Sequence, residues 1–196
     1  KGLGAPADVS SASLDAKAAK LIDAKGCMIS DIKSDGRQFE FTRLDEGLPI
    51  TFGLIGVLSY WHTPYPEELD RYMLTVKNLP DGSYDVVVDE RLVGTYSRQQ
   101  LNDGVNLGCA TPDAWVPGGP WDSQCTVLRS LTDARDQLVY GSKLTDTFMP
   151  HSPSTPEIHK QVGEIDAKIV QLQRQTARPT PYHFIIRPAA KKEGKK

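Results

Sequence analysis

From Gln38 to Leu44 the chain alternates cleanly, with Phe39, Phe41 and Arg43 on one schedule and Glu40 and Thr42 on the other. A period of two sends successive side chains to opposite faces, so this stretch predicts a strand with one packed and one wet face. Ser34-Asp-Gly36 marks the turn before it. The same period returns at Tyr72–Lys77, where Tyr72, Leu74 and Val76 alternate with Met73, Thr75 and Lys77. Asn78-Leu-Pro-Asp-Gly82 then reads as a turn: Pro80 presets its φ and Gly82 supplies a positive one. A strand over Tyr84–Val88 turns at Asp89-Glu90-Arg91 into another over Leu92–Tyr96. Ser97, with Gln100 three residues on, has the form of a capping box opening a short helix through Leu101, which Asn102-Asp103-Gly104 stops. Asp15–Lys25 is locally ambiguous. Its Ala and Lys residues favour helix, while the flanks Ser10–Leu14 and Cys27–Lys33 alternate like strands.

Around Gly118-Gly119-Pro120 the period changes. Trp121, Cys125, Leu128, Leu131 and Leu138 form a helical stripe, with Asp122 or Ser123 placed to cap it. Thr155 followed by Pro156 reads as an N-cap and a first-turn proline. Ile158, Val162, Ile165, Ile169 and Leu172 then repeat at four, three, four and three, a coiled-coil-like seam in which Gly163 permits close approach. Two heptads are too short for an independent coiled coil. A hairpin packing on its own domain is favoured over a dimerisation zipper. Arg178-Pro-Thr-Pro181 ends the helix, and Tyr182–Ile186 reads as a last strand. The expected fold is α+β: a sandwich-like antiparallel β layer, then a two-helix hairpin and a short final strand. The expected regions are residues 1–118, β-rich, and 119–196, the hairpin with its strand and basic tail.

Composition narrows the function classes. The 196 residues are 39% hydrophobic, enough for a core, and carry a net charge of −2. That balance argues against a nucleic-acid partner, which calls for a basic face. The one basic cluster, Lys191–Lys196, reads as a solvated tail. No apolar run nears the ~18 residues of a membrane span; the longest, Phe52–Val57, is short. The start at Lys1, without Met or an apolar leader, is read as that of a processed or truncated product. Cys27, Cys109 and Cys125 form no Cys-x-x-Cys pair, and Cys125 reads as a buried, inert thiol. His62, His151, His159 and His183 lack metal-ligand spacing, so neither metal nor cofactor is expected.

Two stretches carry candidate ligand contacts. Ser59–Tyr65 gathers Trp61, His62 and Tyr65, and Ala114–Trp121 sets Trp115 among glycines and prolines. Flat aromatic faces with a polar rim are what a sugar ring stacks on, although such rings also plug seams between layers, and Trp121 itself reads as core. His62 would need a Ser or Cys nucleophile within reach to act as a base, and no local motif supplies one. No catalytic residue is assigned.

Tyr72–Gly108, with its LPDGSY, VVVDERLVGTYS and LNDGVNLG runs, resembles the segment that follows the catalytic core in bacterial SGNH/GDSL-type hydrolases, especially planctomycete-like ones. The likeness extends to Gly2–Ser11, Gln38–Pro49 and Trp121–Leu138, and it favours strands over Asp15–Lys25. The family's chemistry needs a Gly-Asp-Ser nucleophile block, a Gly-x-Asn-Asp oxyanion block and an Asp-x-x-His base. None is present; Asn102-Asp103 has Gln100 where the glycine would stand. The resemblance therefore implies the non-catalytic C-terminal portion of a serine ester hydrolase. Its catalytic residues would lie on an upstream segment of the same protein or on a companion chain. The resemblance also implies carbohydrate esters as candidate substrates, a cleft framed by this portion, and a periplasmic or secreted location. The alternative is a free-standing carbohydrate- or protein-binding or structural β module.

Overall fold

The computed structural model describes Gly4 and residues 6–50, 68–108 and 119–190. Its elements run β1 (Asp8–Asp15), β2 (Lys20–Lys25), β3 (Cys27–Ser34), β4 (Phe39–Asp45), β5 (Arg71–Lys77), β6 (Ser83–Val88), β7 (Arg91–Ser97), α1 (Arg98–Asp103), β8 (Val105–Asn106), α2 (Asp122–Phe148), α3 (Thr155–Thr176) and β9 (Tyr182–Pro188). The chain forms two compact units, Lys1–Asp122 with Pro179–Lys196, and Ser123–Arg178. The α+β expectation holds, with two sheets and a helical hairpin.

The ambiguous Asp15–Lys25 stretch is strand, turn and strand. The Asp15 carboxylate accepts the Ala18 amide at 2.9 Å, Ala19 takes a φ of 47°, and Leu14 then pairs with Leu21 and Ala12 with Ala24. Tertiary pairing overrides the local helix preference here.

In the first unit a four-stranded sheet runs β2-β1-β5-β8 and a five-stranded sheet runs β3-β4-β9-β6-β7. All neighbouring pairs are antiparallel except β1 and β5, which run parallel from Asp8 opposite Arg71 to Asp15 opposite Lys77. The alternating positions build the core: Ala12, Leu14, Leu74 and Val76 from the first sheet, Phe39, Phe41, Phe184, Val86 and Ile186 from the second. Phe41 and Phe184 stack at 5.0 Å between ring centroids across the β4–β9 pair. The chain passes from one sheet to the other at Gly26, between β2 and β3. Its φ is +65°, and a Cβ there would lie 2.3 Å from the Val9 carbonyl oxygen. Only glycine fits that corner.

The final strand belongs with these sheets rather than with the hairpin that precedes it in sequence. β9 sits between β4 and β6, hydrogen-bonded on both sides, with Phe184 and Ile186 inward. The sequence division at Gly118 thus becomes an excursion, Ser123–Arg178, out of a unit to which the chain returns.

Two turns follow the sequence closely. Ser97 and Gln100 form the reciprocal capping box at the start of α1, whose Leu101 is fully buried. The β6–β7 hairpin turns through Asp89 and Glu90, both at positive φ, and Asp89 is held by the His183 amide of β9. In the second unit, α2 and α3 are joined through Arg135 and Asp166 (2.6 Å) and through Gln173 and Thr132 (2.9 Å). Thr155 is the first residue of α3 rather than its N-cap. That place falls to Ser154, which makes no side-chain cap bond, while the Thr155 hydroxyl donates to the Met149 carbonyl.

Candidate functional site

The residues that flank the two undescribed stretches meet at one end of the sandwich. Ile50 donates its amide to the Asp70 carboxylate at 3.1 Å. A Cβ on Gly108 would lie 3.0 Å from the Asp70 carbonyl, and one on Gly119 would lie 2.9 Å from the carbonyls of both Leu107 and Gly108. Residues 50, 70, 108 and 119 therefore share a neighbourhood at the end where β1 and β5 begin.

Trp121 closes this end. It is buried against Tyr72 at 4.7 Å and Tyr182 at 6.4 Å between ring centroids, and its Nε1 has no hydrogen-bond acceptor among the described residues. Its ring faces the Arg43 guanidinium at 5.3 Å, a cation–π arrangement in a desolvated place. Arg43 continues the inward schedule of Phe39 and Phe41, and Asp45 continues it once more. The guanidinium donates from Nε to both Asp45 oxygens at 3.1 Å, from Nη2 to Ser10 Oγ at 2.8 Å, and from Nη1 to the Met73 carbonyl at 3.1 Å. Ser10 Oγ in turn donates to Asp45. Every partner comes from β4 or from the facing strands β1 and β5, so the cluster ties one sheet to the other. Ser10 is buried and committed to an acid–cation pair, and among the described residues no histidine addresses it, so this pair serves structure.

Asp70 is different in kind. It is 4% exposed, and burial pushes its carboxyl up to about 6, with the Ile50 amide pulling the other way. The group therefore changes charge near neutral pH at the end where the chain opens toward residues 51–67 and 109–118.

The opposite end holds a cleft of about 600 Å³, between the Ser34–Gln38 and Asn78–Gly82 turns. Phe39, Leu79, Tyr84 and Pro188 give it an apolar floor, and Lys17 and Arg37 stand at its rim. Asp81 on the same rim is paired with Arg98 at 3.0 Å.

The sequence candidates Trp61, His62, Tyr65 and Trp115 lie outside the described residues, as does Cys109. Cys27 and Cys125 are buried. Among the described residues, no three His, Cys, Asp or Glu side chains converge as a metal site would need. No helix among them is long and apolar enough to cross a membrane. That Arg43 and Asp45 need partners follows from their place on the inward schedule of a strand, while the partners themselves, Ser10 and Met73, come from distant strands. Asp70 gave no such signal, because it stands just before β5, outside the alternating run.

No protein-family profile matches the chain, and no curated protein matches it. Among solved structures, a gut microbial diltiazem-metabolizing enzyme is similar in fold, with a TM-score of 0.78 and 19% sequence identity. The likeness covers 94% of this chain and 51% of that one, so the chain spans about half the length of the structure it matches.

Proposed function

We propose that the chain is the non-catalytic C-terminal portion of an SGNH/GDSL-type serine ester hydrolase. Carbohydrate esters are its candidate substrates, and the nucleophile, base and oxyanion donors lie on an upstream segment or a companion chain. The observation that carries this reading is the extent of the structural likeness: almost the whole of this chain corresponds to half of an enzyme. The sequence resemblance points the same way, since it covers the segment after a catalytic core. The only serine–carboxylate pair described in the core, Ser10 with Asp45, is closed off and serves the sheets.

In this reading the end of the sandwich around Asp70 and Trp121 faces the catalytic body. Trp61, His62, Tyr65 and Trp115, on the stretches between the flanking residues that meet there, contact substrate.

Two experiments test it. Residues 1–196 alone should not hydrolyse small aryl esters above background, because no complete triad is recognisable in the chain. Turnover that is lost with His62→Ala would overturn the proposal. Reading the encoding gene upstream of Lys1 should reveal a Gly-Asp-Ser block and an Asp-x-x-His, and an upstream sequence without them would leave the free-standing binding module instead.

A further inference from the structure

The cleft of about 600 Å³ between the Ser34–Gln38 and Asn78–Gly82 turns has the size of a small-molecule site, for which ~300–1,000 Å³ is usual. Phe39, Leu79 and Tyr84, all buried, make its floor, and Pro80 and Pro188 line it from exposed positions. Both walls are fixed from within. The Asp35 carboxylate accepts the Arg37 and Gln38 amides at 2.8 Å, the Tyr84 hydroxyl donates to the Pro80 carbonyl at 2.9 Å, and the Arg98 amide donates to the Gly82 carbonyl at 2.9 Å. At Gly36 the cleft is open, since a Cβ there would meet nothing within 4 Å. Walls that need no ordering leave more of the contact energy to whatever enters.

Charge selects the occupant. The carboxylates around the cleft are engaged: Asp35 by those two amides, Asp15 by the Ala18 amide and Asn78 Nδ2, both at 2.9 Å, and Asp81 by Arg98 at 3.0 Å. The cations are not. Lys17 and Arg37 line the cleft, are exposed, and form no salt bridge among the described residues; Arg37 acts on Asp35 only at longer range. The unused hydrogen-bonding capacity is therefore donor capacity, and a guanidinium fork beside an ammonium suits a carboxylate. The floor suits a flat apolar body, because Phe39 and Tyr84 offer it rings. A polyphosphate would set charged oxygens against that floor.

We propose that this cleft binds a small aromatic carboxylate, its ring against Phe39, Leu79 and Tyr84 and its carboxylate between Lys17 and Arg37. The site goes beyond the hydrolase reading and does not depend on it.

Titration of the full 196-residue chain with 2-naphthoate, followed through its amide resonances, tests the site. Shifts are expected at Gly36, Gly82 and Ser83, and 2-naphthoate should bind about fivefold more tightly than the uncharged 2-naphthamide. Lys17→Glu with Arg37→Glu, both exposed, should abolish that preference and leave binding of the amide unchanged. Ser34 pairs with Phe39 and shares its face of the sheet, so Ser34→Trp fills the cleft and should remove binding of both compounds. Unchanged circular dichroism verifies that each variant is folded. Absence of binding at millimolar 2-naphthoate overturns the proposal, as does equal affinity for acid and amide. So do shifts confined to other parts of the chain, a preference that survives the charge variant, or binding that survives Ser34→Trp.

Discussion

Arg43 and Asp45 stand two residues apart on the inward face of β4 and form a buried pair, with side chains 0% and 2% exposed and Nε 3.1 Å from both carboxylate oxygens. Charge burial on this scale is tolerated only when every donor and acceptor is met. Here Ser10 and the Met73 carbonyl complete the set, and Trp121 covers the guanidinium face.

Removing one partner should be far worse than removing both. Arg43→Met strands the Asp45 carboxylate in the core and should destabilise by roughly 3–5 kcal/mol. The double variant Arg43→Met/Asp45→Leu should lose less than the sum of the two single losses, because no charge is left unpaired. Urea unfolding midpoints at constant slope measure both. Additive losses would mean that the two side chains do not act as a pair.

Asp70 should make stability depend on pH in the direction opposite to most carboxylates. Its folded value, about 6, lies above the ordinary 3.8. Between these the native state holds the extra proton, so the Asp70 contribution falls as pH rises from about 4 to about 6 and is constant above. Asp15, Asp31, Asp35 and Asp103 are held below 3.8, chiefly by hydrogen bonds from Ala18, Ser30, Gln38 and Gln99 respectively, and their stabilisation is lost as pH falls beneath that value. Asp70→Asn keeps an acceptor for the Ile50 amide and should flatten the upper window alone. The check is the difference between parent and variant melting temperatures as a function of pH.

Gly26→Ala should be destabilising by about 2 kcal/mol or more. The left-handed conformation disfavours any Cβ by ~1–2 kcal/mol, and the Val9 carbonyl at 2.3 Å forces the backbone to move as well. Thermal unfolding of the variant checks the size of the loss. A neutral result would mean that the passage between the sheets is not held at this residue.

The ligand proposal separates the tryptophans by their effects. Trp115→Ala and Trp61→Ala should each weaken binding of acetylated oligosaccharides by about 1 kcal/mol, roughly fivefold, with stability unchanged. Trp121→Ala should cost roughly 3–5 kcal/mol of stability, as truncation of a buried ring does. Fluorescence titration beside a denaturant melt reads both quantities. Stability loss at Trp115 with no ligand response in the parent would assign that ring to packing.

Much of the fold is legible along the chain because it rests on local rules. The alternation of Phe39, Phe41 and Arg43 set a strand and its inward face, Ser97 with Gln100 set the cap of α1, and the 3.6-residue stripe after Trp121 set a helix. Each of these depends on residues a few positions apart, whose geometry is dictated by backbone periodicity and nearby hydrogen bonds. What only the tertiary structure decided is the meeting of residues distant in sequence. The parallel pairing of β1 with β5, the return of β9 to the middle of a sheet, and the closing of Arg43 onto Ser10 and Met73 have no local signature. Strand partners are chosen by which apolar faces can be buried together across the whole chain. Asp70 is likewise shifted by burial that exists only in the folded chain, where the Ile50 amide reaches its carboxylate, so its chemistry is a property of the folded end rather than of any motif.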